Sequence, residues 1–353
     1  MAKQPVRILI LGTGGMANTH AENFAKIPGV KLVAGIDTRP EQLQSFCDKH
    51  KIGHGFASIT DAIAWGQFDA VTNVTPDAAH FATTMPVLAA GKHILCEKPL
   101  ATNEADADAM AFAAAQAGVV NMVNLSYRNV AALQKAAAMV KQGLIGTVRH
   151  FEASYLQSWL TQPAWGHWDK ESQWLWRLSS KHGSKGVLGD VGIHILDFAT
   201  FVAGQSVDEI SCRLATFHKA PGDRIGDYVL DANDSATMQV VLGNGALGTV
   251  AATRFASGHL NDLRLRLYGD KGGIEVSWEK NVSRLRACLE PNLQTAEWQD
   301  IAAPVLATIY ERFVAAIRGE GVADPDFARG AALQRMLDRA EQSAAKAGVS
   351  LKV

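Results

Sequence analysis

The run Val6-Arg7-Ile8-Leu9-Ile10-Leu11 passes directly into Gly12-Thr13-Gly14-Gly15-Met16-Ala17, and this junction constrains the fold more than any other stretch of the chain. The apolar, β-rich run reads as a strand, the glycines end it, and a helical stretch from Ala17 to Lys26 follows. In Gly12-x-Gly14-x-x-Ala17 each small residue has a physical reason. Gly12 permits a tight turn, Gly14 lets the backbone approach a pyrophosphate, and Ala17 lets helix and strand pack closely. Phosphate then settles on the helix N-terminus, beside Gly15 and Met16. A lone glycine-rich turn proves little, but the next strand, Lys31 to Ile36, ends at Asp37, 23 residues past Gly14. That is close to the usual spacing for a carboxylate that accepts hydrogen bonds from a ribose. Asp37, with Thr38 and Arg39 behind it, is expected at the ribose. A 2′-phosphate would meet like charge there, which predicts NAD over NADP, although Arg39 is placed to pair with such a phosphate.

A chain of 353 residues with 48% hydrophobic content exceeds one typical domain and can bury a substantial core. Its formal charge of −1 gives no electrostatic reason to bind a polyanion, so nucleic acid is excluded as a partner. Cys47, Cys96, Cys212 and Cys288 lie far apart without a CxxC pair, which suits reduced thiols in packing roles rather than a disulfide frame or a zinc site. Met1 to Gln4 read as a leader. The opening apolar run is too short for a signal segment or a membrane span, so a soluble, cytoplasmic protein without membrane contact is expected.

To about residue 123, apolar strands alternate with helices, as in Phe68 to Val74 and Gly91 to Cys96, the pattern of a parallel, doubly wound sheet. Ala101 to Gly118 reads as a helix capped by Thr102, and Val119 to Val123 as the strand that follows. A linking helix, Val130 to Gln142, stops at Gly143. The period then changes to two. Thr147 to Tyr155 alternates; Thr237 to Leu242 and Ala246 to Ala252 flank Gly243-Asn244-Gly245; Arg264 to Tyr268 and Gly273 to Trp278 flank Gly269 to Gly272. The expected architecture is an α/β nucleotide-binding domain over 1–123, then an α+β domain with a large, mostly antiparallel open sheet over 124–330, and a C-terminal helix over 331–353. Such a sheet needs one face covered, which predicts a homodimer or homotetramer formed through it. Pro221 to Asp234 reads as an irregular insertion near the site or an interface.

Two places carry acid–base chemistry. Asp190, His194 and Asp197 fall at i, i+4 and i+7, so a helix there would put them on one stripe, leaving Val191, Ile195, Phe198 and Val202 to bury the other. A histidine titrating near pH 6.5 accepts a proton at neutral pH, and a neighbouring carboxylate orients it and stabilises its charged form. Lys98 follows Glu97 and precedes Pro99 at a strand end, where open α/β sheets bind ligands. Glu97 would hold the Lys98 backbone or neutralise its ammonium, and Lys98-Pro99 is a candidate cis peptide. Thr75-Pro76 suits a loop shaping the nicotinamide pocket, with His80 behind it.

Taken together these residues resemble the glucose–fructose oxidoreductase and inositol dehydrogenase (Gfo/Idh/MocA) family along most of the chain. Its motifs stand here as Gly12-x-Gly14-x-x-Ala17, Thr75-Pro76 with His80, Ala90-Gly91-Lys92-His93 running into Glu97-Lys98-Pro99, Tyr127-Arg128, and Asp190-x-x-x-His194. The resemblance implies a Rossmann domain, NAD as cofactor, and catalysis by Lys98, Asp190 and His194. His194 would be the general base, Lys98 would hold and polarise the reacting oxygen, and Asp190 would orient the base. Gly12, Gly14, Gly15, Met16, Asp37, Thr38, Arg39, Thr75, Pro76, His80, Glu97 and Lys98 are the expected cofactor residues. Tyr127, Arg128, Trp165 and Trp176 join Lys98, Asp190 and His194 at the substrate.

The chain departs from the family just before the aspartate, where consecutive glycines are replaced by Lys181-His182-Gly183-Ser184-Lys185-Gly186. These cations either suit an oxygen-rich or anionic substrate or line a solvated loop. Trp159, Trp165, Trp168, Trp174 and Trp176 crowd the preceding segment, with Arg177 next. Indole faces stack on sugar rings, so this block either lines a carbohydrate pocket or packs as a lid or interface. The reading that follows is an NAD-dependent dehydrogenase of a sugar or polyol, such as an aldose oxidised at C1 to the lactone. An inositol-type cyclitol dehydrogenase, a sensor that binds NAD(H) without turnover, and an enzyme that retains its nicotinamide while shuttling hydride between sugars are the alternatives.

Overall fold

The computed structural model describes residues 4–163 and 165–353; Met1 to Lys3, part of the expected leader, lie outside them. The chain forms two compact units, one of residues up to Ser126 together with Ala307–Gln334, the other of Tyr127–Leu306 with Arg335–Val353.

The first unit runs β1 (Val6–Leu11), α1 (Gly15–Ala25), β2 (Val30–Ile36), α2 (Pro40–His50), β3 (His54–Phe56), α3 (Ile59–Trp65), β4 (Ala70–Asn73), α4 (His80–Ala89), β5 (His93–Cys96), α5 (Glu104–Ala117) and β6 (Asn121–Val123). Its strands pair in parallel in the order β3-β2-β1-β4-β5-β6. The order reverses between β1 and β4, the switch point at which such sheets hold ligands beyond their strand ends. Gly12 is required there: its φ is +87°, and a Cβ would lie 2.8 Å from the Val74 carbonyl oxygen. Helix α5 is capped by Asn103, whose side chain accepts from the Asp106 amide at 2.9 Å, and not by Thr102 as expected. Three residues separate that amide from its cap, which places the cap one residue later.

The second unit carries α6 (Ala131–Lys141), β7 (Val148–Leu156), α7 (Ser172–Leu175), a π-type turn at Leu188–Gly192, α8 (Ile193–Ala203), β8 (Val207–Ala215) and the short hairpin of β9 (Arg224–Ile225) and β10 (Tyr228–Val229). It continues through β11 (Ser235–Leu242), β12 (Leu247–Thr253), β13 (Asp262–Gly269), β14 (Gly272–Glu279), β15 (Val282–Leu289) and β16 (Gln299–Asp300). Helices α9 (Ile309–Ile317) and α10 (Phe327–Ala345) and strand β17 (Leu351–Lys352) complete the chain. The large sheet has the order β16-β15-β14-β13-β7-β12-β11-β8-β17, antiparallel except for the parallel β7–β12 pair. One face, with Phe151, Val240, Leu267 and Ile274, is buried; Gly248 leaves room for Phe151, which a Cβ would meet at 2.1 Å. The other face carries a row of ion pairs, Glu152–Arg266 at 3.2 Å, Arg266–Glu275 at 3.5 Å and Glu275–Arg286 at 3.3 Å.

The unbroken domain expected over 124–330 is corrected, because residues 307–334 belong to the first unit. Helix α9 opens with a capping box, Thr308 accepting from the Glu311 amide at 3.3 Å and Glu311 accepting from the Thr308 amide at 2.7 Å. Its buried Ile309, Tyr310, Phe313 and Val314 join the core of Ala17, Ala21 and Phe24. All four cysteines are buried thiols. No helix among the described residues is long and apolar enough to cross a membrane.

Candidate active site

In the first unit the loop after β1 is built to receive an anion. Gly14 caps α1 without a side-chain hydrogen bond, and a Cβ on Gly14 or Gly15 would meet nothing within 4 Å, so the helix N-terminus opens onto free space. Met16 beside it is 51% exposed. Asp37 sits at the end of β2, buried. Its carboxylate accepts from the Thr13 amide at 3.0 Å and hydroxyl at 2.8 Å, and from the Arg39 amide and Nε at 3.0 Å each. Burial opposes its charge, but the Arg39 and Thr13 hydrogen bonds outweigh burial and hold it well below the usual carboxylate range. The site therefore offers open backbone donors for a pyrophosphate and a fixed anion for ribose hydroxyls, which fits a dinucleotide. Thr38 is exposed beside it.

At the ends of β4 and β5 three loops are tied together. Asn73 accepts from the Thr75 hydroxyl at 2.7 Å, shaping the turn that leads into Pro76. His80, expected among the cofactor residues, has no exposed surface. Its Nε2 faces the Thr75 carbonyl at 3.0 Å and its Nδ1 the Pro99 carbonyl at 2.7 Å. Two carbonyl acceptors on the ring nitrogens favour a doubly protonated imidazole. Burial opposes this, yet Cys96, Asp77 and the Pro99 carbonyl push its pKa up to about 10. His80 is buried and joins the two loops through these carbonyls.

The Lys98-Pro99 peptide is cis. Glu97 accepts from the Lys98 amide at 3.1 Å, so it holds the lysine's backbone, one of its two expected roles. Its other oxygen receives His20 Nε2 at 2.8 Å and the Asn124 amide at 2.6 Å. Burial raises the carboxyl, but these bonds and the Lys98 charge bring its pKa down to about 2. His20 belongs to α1, the helix that opens with the glycine turn, and its Nδ1 meets the Thr72 hydroxyl at 2.7 Å. Tyr310 of α9 packs edge-on against His20 at 5.0 Å. Sequence reasoning missed His20, Asn124 and Tyr310; a polar residue on an otherwise apolar helix face is the only local signal of the first.

In the second unit the Asp190-to-Asp197 segment differs from the expected single stripe. Asp190 lies in the π-type turn and His194 in the first turn of α8, whose described positions 193–200 are all buried. Asp197 turns inward to Arg128, which donates from Nε at 2.6 Å and Nη2 at 2.9 Å and lies over the Phe201 ring at 3.5 Å. This corrects the expectation that Arg128 meets substrate: its guanidinium is spent on a buried ion pair that locks α8. The wider π turn shifts Asp190 relative to the later residues, so a stripe drawn at 3.6 residues per turn fails there.

His194 is 7% exposed, with the Tyr127 ring edge-on at 5.0 Å and Tyr155 at 6.4 Å. The two tyrosine hydroxyls are hydrogen-bonded, and Tyr155 donates to Asn261 at 2.8 Å. Burial pushes the Tyr127 hydroxyl up to about 12, so it stays protonated at neutral pH. Asp190 has one oxygen 3.1 Å from Arg177 Nη1 and the other 3.1 Å from Arg254 Nη2.

Most of the tryptophan block packs as a small core. Trp159, Leu160, Leu175, Leu178 and Leu230 are buried together, with Trp165, Trp168, Trp174, Ile225 and Tyr228 against them. Trp165 packs against this cluster while still partly exposed, and Trp176 lies outside it, beneath Arg177 at 4.7 Å. The Pro221 to Asp234 insertion folds as the β9–β10 hairpin on the same cluster. Lys181 is exposed, His182 stacks near Tyr228 at 4.3 Å, and Lys185 pairs with Glu341 at 3.6 Å.

The doubly wound first unit, its open glycine turn and the acid that ends β2 define an NAD-binding oxidoreductase. Residues 6–125 match the oxidoreductase family with an NAD-binding Rossmann fold, and residues 133–275 match the GFO/IDH/MocA C-terminal domain. The chain belongs to the Gfo/Idh/MocA family, whose members include sugar and polyol dehydrogenases. Levoglucosan dehydrogenase of Pseudarthrobacter phenanthrenivorans is 26% identical over 301 residues, 78% of this chain and 75% of that protein. An oxidoreductase domain protein from Kribbella flavida superposes with a TM-score of 0.87 at 28% identity over 99% of this chain and 100% of the other. A levoglucosan dehydrogenase in complex with NADH superposes at 0.86 with 24% identity and 99% coverage of both.

Proposed function

We propose that this protein is an NAD-dependent dehydrogenase that oxidises a sugar or polyol hydroxyl, with an aldose taken at C1 to its lactone as the leading case. What supports the reading is the placement of His194 at the start of α8, four residues after Asp190, whose two oxygens lie 3.1 Å from Arg177 and from Arg254. Bound through the Gly12–Met16 turn and Asp37, the nicotinamide supplies the hydride acceptor. His194 takes the hydroxyl proton on an imidazole nitrogen, Asp190 orients that ring, and the Lys98 ammonium binds and polarises the reacting oxygen. The Tyr127 and Tyr155 rings limit water around His194. Asp37, already charged, favours NAD over its 2′-phosphorylated form. The open sheet face, with Leu247 and Val282 exposed on it, supports assembly as a homodimer or homotetramer, which light scattering on the purified protein tests.

Aldoses, cyclitols and sugar acids screened for NADH formation test the reaction. Lys98→Ala and His194→Ala should each lower turnover on the best substrate by about 10²- to 10⁴-fold while NAD still binds. Wild-type turnover in either variant, or a panel in which no sugar reduces bound NAD, overturns the proposal.

A further inference from the structure

The residues that hold Asp190 belong to a structure no motif describes. Arg254 follows β12 and is fully buried; its Nη2 meets one Asp190 oxygen at 3.1 Å while its Nη1 donates to the Arg177 carbonyl at 3.0 Å. Arg177 returns a side-chain contact of 3.1 Å to the other Asp190 oxygen. The three residues therefore close a ring, in which one arginine fixes both the carboxylate and the backbone of the second arginine. Each guanidinium also rests on a tryptophan of the crowded segment, Arg254 over Trp159 at 5.0 Å and Arg177 over Trp176 at 4.7 Å. Cation–π contact costs little and holds a planar cation in one orientation. The Ser184 hydroxyl donates to the Arg177 carbonyl at 2.5 Å, so the loop that departs from the family's glycines braces the same residue.

We propose that Arg177 and Arg254, seated on Trp176 and Trp159, are positioning residues that fix the Asp190 carboxylate and through it set the orientation and proton affinity of His194. The inference rests on the dehydrogenase reading for its catalytic consequence, but not for its geometry. A carboxylate gripped at both oxygens cannot rotate, so its charge stays at one place relative to the Tyr127 and Tyr155 rings that it influences and that pack against His194. Two cations against one anion also leave a net positive charge around the Asp190 carboxylate, and removing one of them makes the surroundings of His194 less hostile to a positive charge. Among the described residues of the second unit, Tyr127, Tyr155 and the Arg128–Asp197 pair are the titratable or charged groups seen against α8; α6, β12 and β13 also pack against it and bury Ala136, Val250 and Leu265. The assignment also gives the tryptophan block a use beyond packing, and it explains why Arg177 directly follows Trp176.

The test uses the full chain. Arg177 is 31% exposed on its side chain, so Arg177→Ala should fold; Arg254→Lys keeps a cation in the fully buried position. His194 is followed by imidazole NMR, assigned by its disappearance in His194→Asn. Removing the Arg177 charge should move the His194 midpoint to higher pH, by roughly half a pH unit to one. The acid limb of kcat/KM should move the same way, and kcat should fall by about 10- to 100-fold. NADH affinity should not change, and Arg177→Lys should recover part of both effects. Lys181→Ala, exposed on the same segment and outside the ring, should match wild type. A His194 midpoint that stays in place in Arg177→Ala overturns the proposal whatever turnover does, as does a loss expressed only in NADH affinity. Since the titration needs no substrate, a silent sugar panel with a displaced midpoint sinks the dehydrogenase reading alone.

Discussion

The two units hold their polar groups by different means. In the first, the candidate cofactor groups stand at the ends of parallel strands and each has a close neighbour in sequence among its partners, Asp37 with Arg39, Thr75 with Asn73 and Lys98 with Glu97, although Thr13 also holds Asp37 and His20 holds Glu97 from afar. In the second, Asp190 is fixed by an arginine 64 residues away and Asp197 by one 69 residues away, and both arginines are buried. Strand-end chemistry follows from topology, because a doubly wound sheet delivers its loops to one edge whatever the rest of the chain does. Chemistry on a buried helix needs a counter-charge brought from elsewhere, and its cost is borne by the whole unit.

If this contrast is right, the largest stability loss comes from breaking a long-range pair in the second unit. Asp197→Ala leaves the Arg128 guanidinium, 2% exposed, without its counter-ion and should cost about 3–5 kcal/mol in urea unfolding of that unit. Adding Arg128→Met should return much of that loss, because removing both charges is far cheaper than stranding one. A cost near zero for Asp197→Ala would mean that the pair is not what secures α8.

The corresponding change in the first unit is smaller and depends on pH. Glu97, brought down to about 2, contributes stability that is complete above its unfolded value near 4.5 and fades as pH falls through about 2. Such a displacement corresponds to about 3 kcal/mol at neutral pH, an upper figure for a group whose neighbours His20, Asn124 and Lys98 can rearrange. Glu97→Gln should therefore be less stable than wild type at pH 7, and the gap should narrow steadily toward pH 2. A gap that widens on acidification would show that His20 and Asn124 do not recognise the ionised form.

The contrast also explains what the sequence made legible. The parallel unit, Gly12, Asp37, Glu97-Lys98-Pro99 and the antiparallel hairpins of the second sheet were all readable, because each is a local pattern of strand, turn and small residue. Asp190 and His194 stood out in the sequence as an acid and an imidazole four residues apart. Their surroundings did not: nothing near Arg254 marks it as the partner of Asp190, and Arg128, adjacent to Tyr127, invites the same reading as its neighbour until Asp197 is found beneath it. The tryptophans misled in a different way. Their density suggested a pocket, but the cluster with Leu175, Leu178 and Leu230 buries Trp159 and packs Trp165, Trp168 and Trp174 against it, while Trp176 lies outside it. Period-based reasoning failed at Leu188–Gly192 because a π turn has no signature in hydrophobic spacing.

Helix α9 marks the limit of the comparison, since the unit with local chemistry completes its core with a segment from near the far end of the chain. Thr308→Ala removes one half of the capping box and should cost about 1 kcal/mol, the smallest effect here. Its location is more informative than its size. Tyr310 and Phe313 lie 5.2 and 6.2 Å from Phe24, so loosening the start of α9 should speed amide exchange in β1 and α1 and leave β7 and β13 at their wild-type rates. Equal acceleration in both sheets would mean that the units open together, and that the division between local and long-range stabilisation describes sequence separation without describing cooperativity. Acceleration confined to the parallel sheet would instead make α9 an integral piece of the nucleotide-binding unit, joined to it by burial and not by order along the chain.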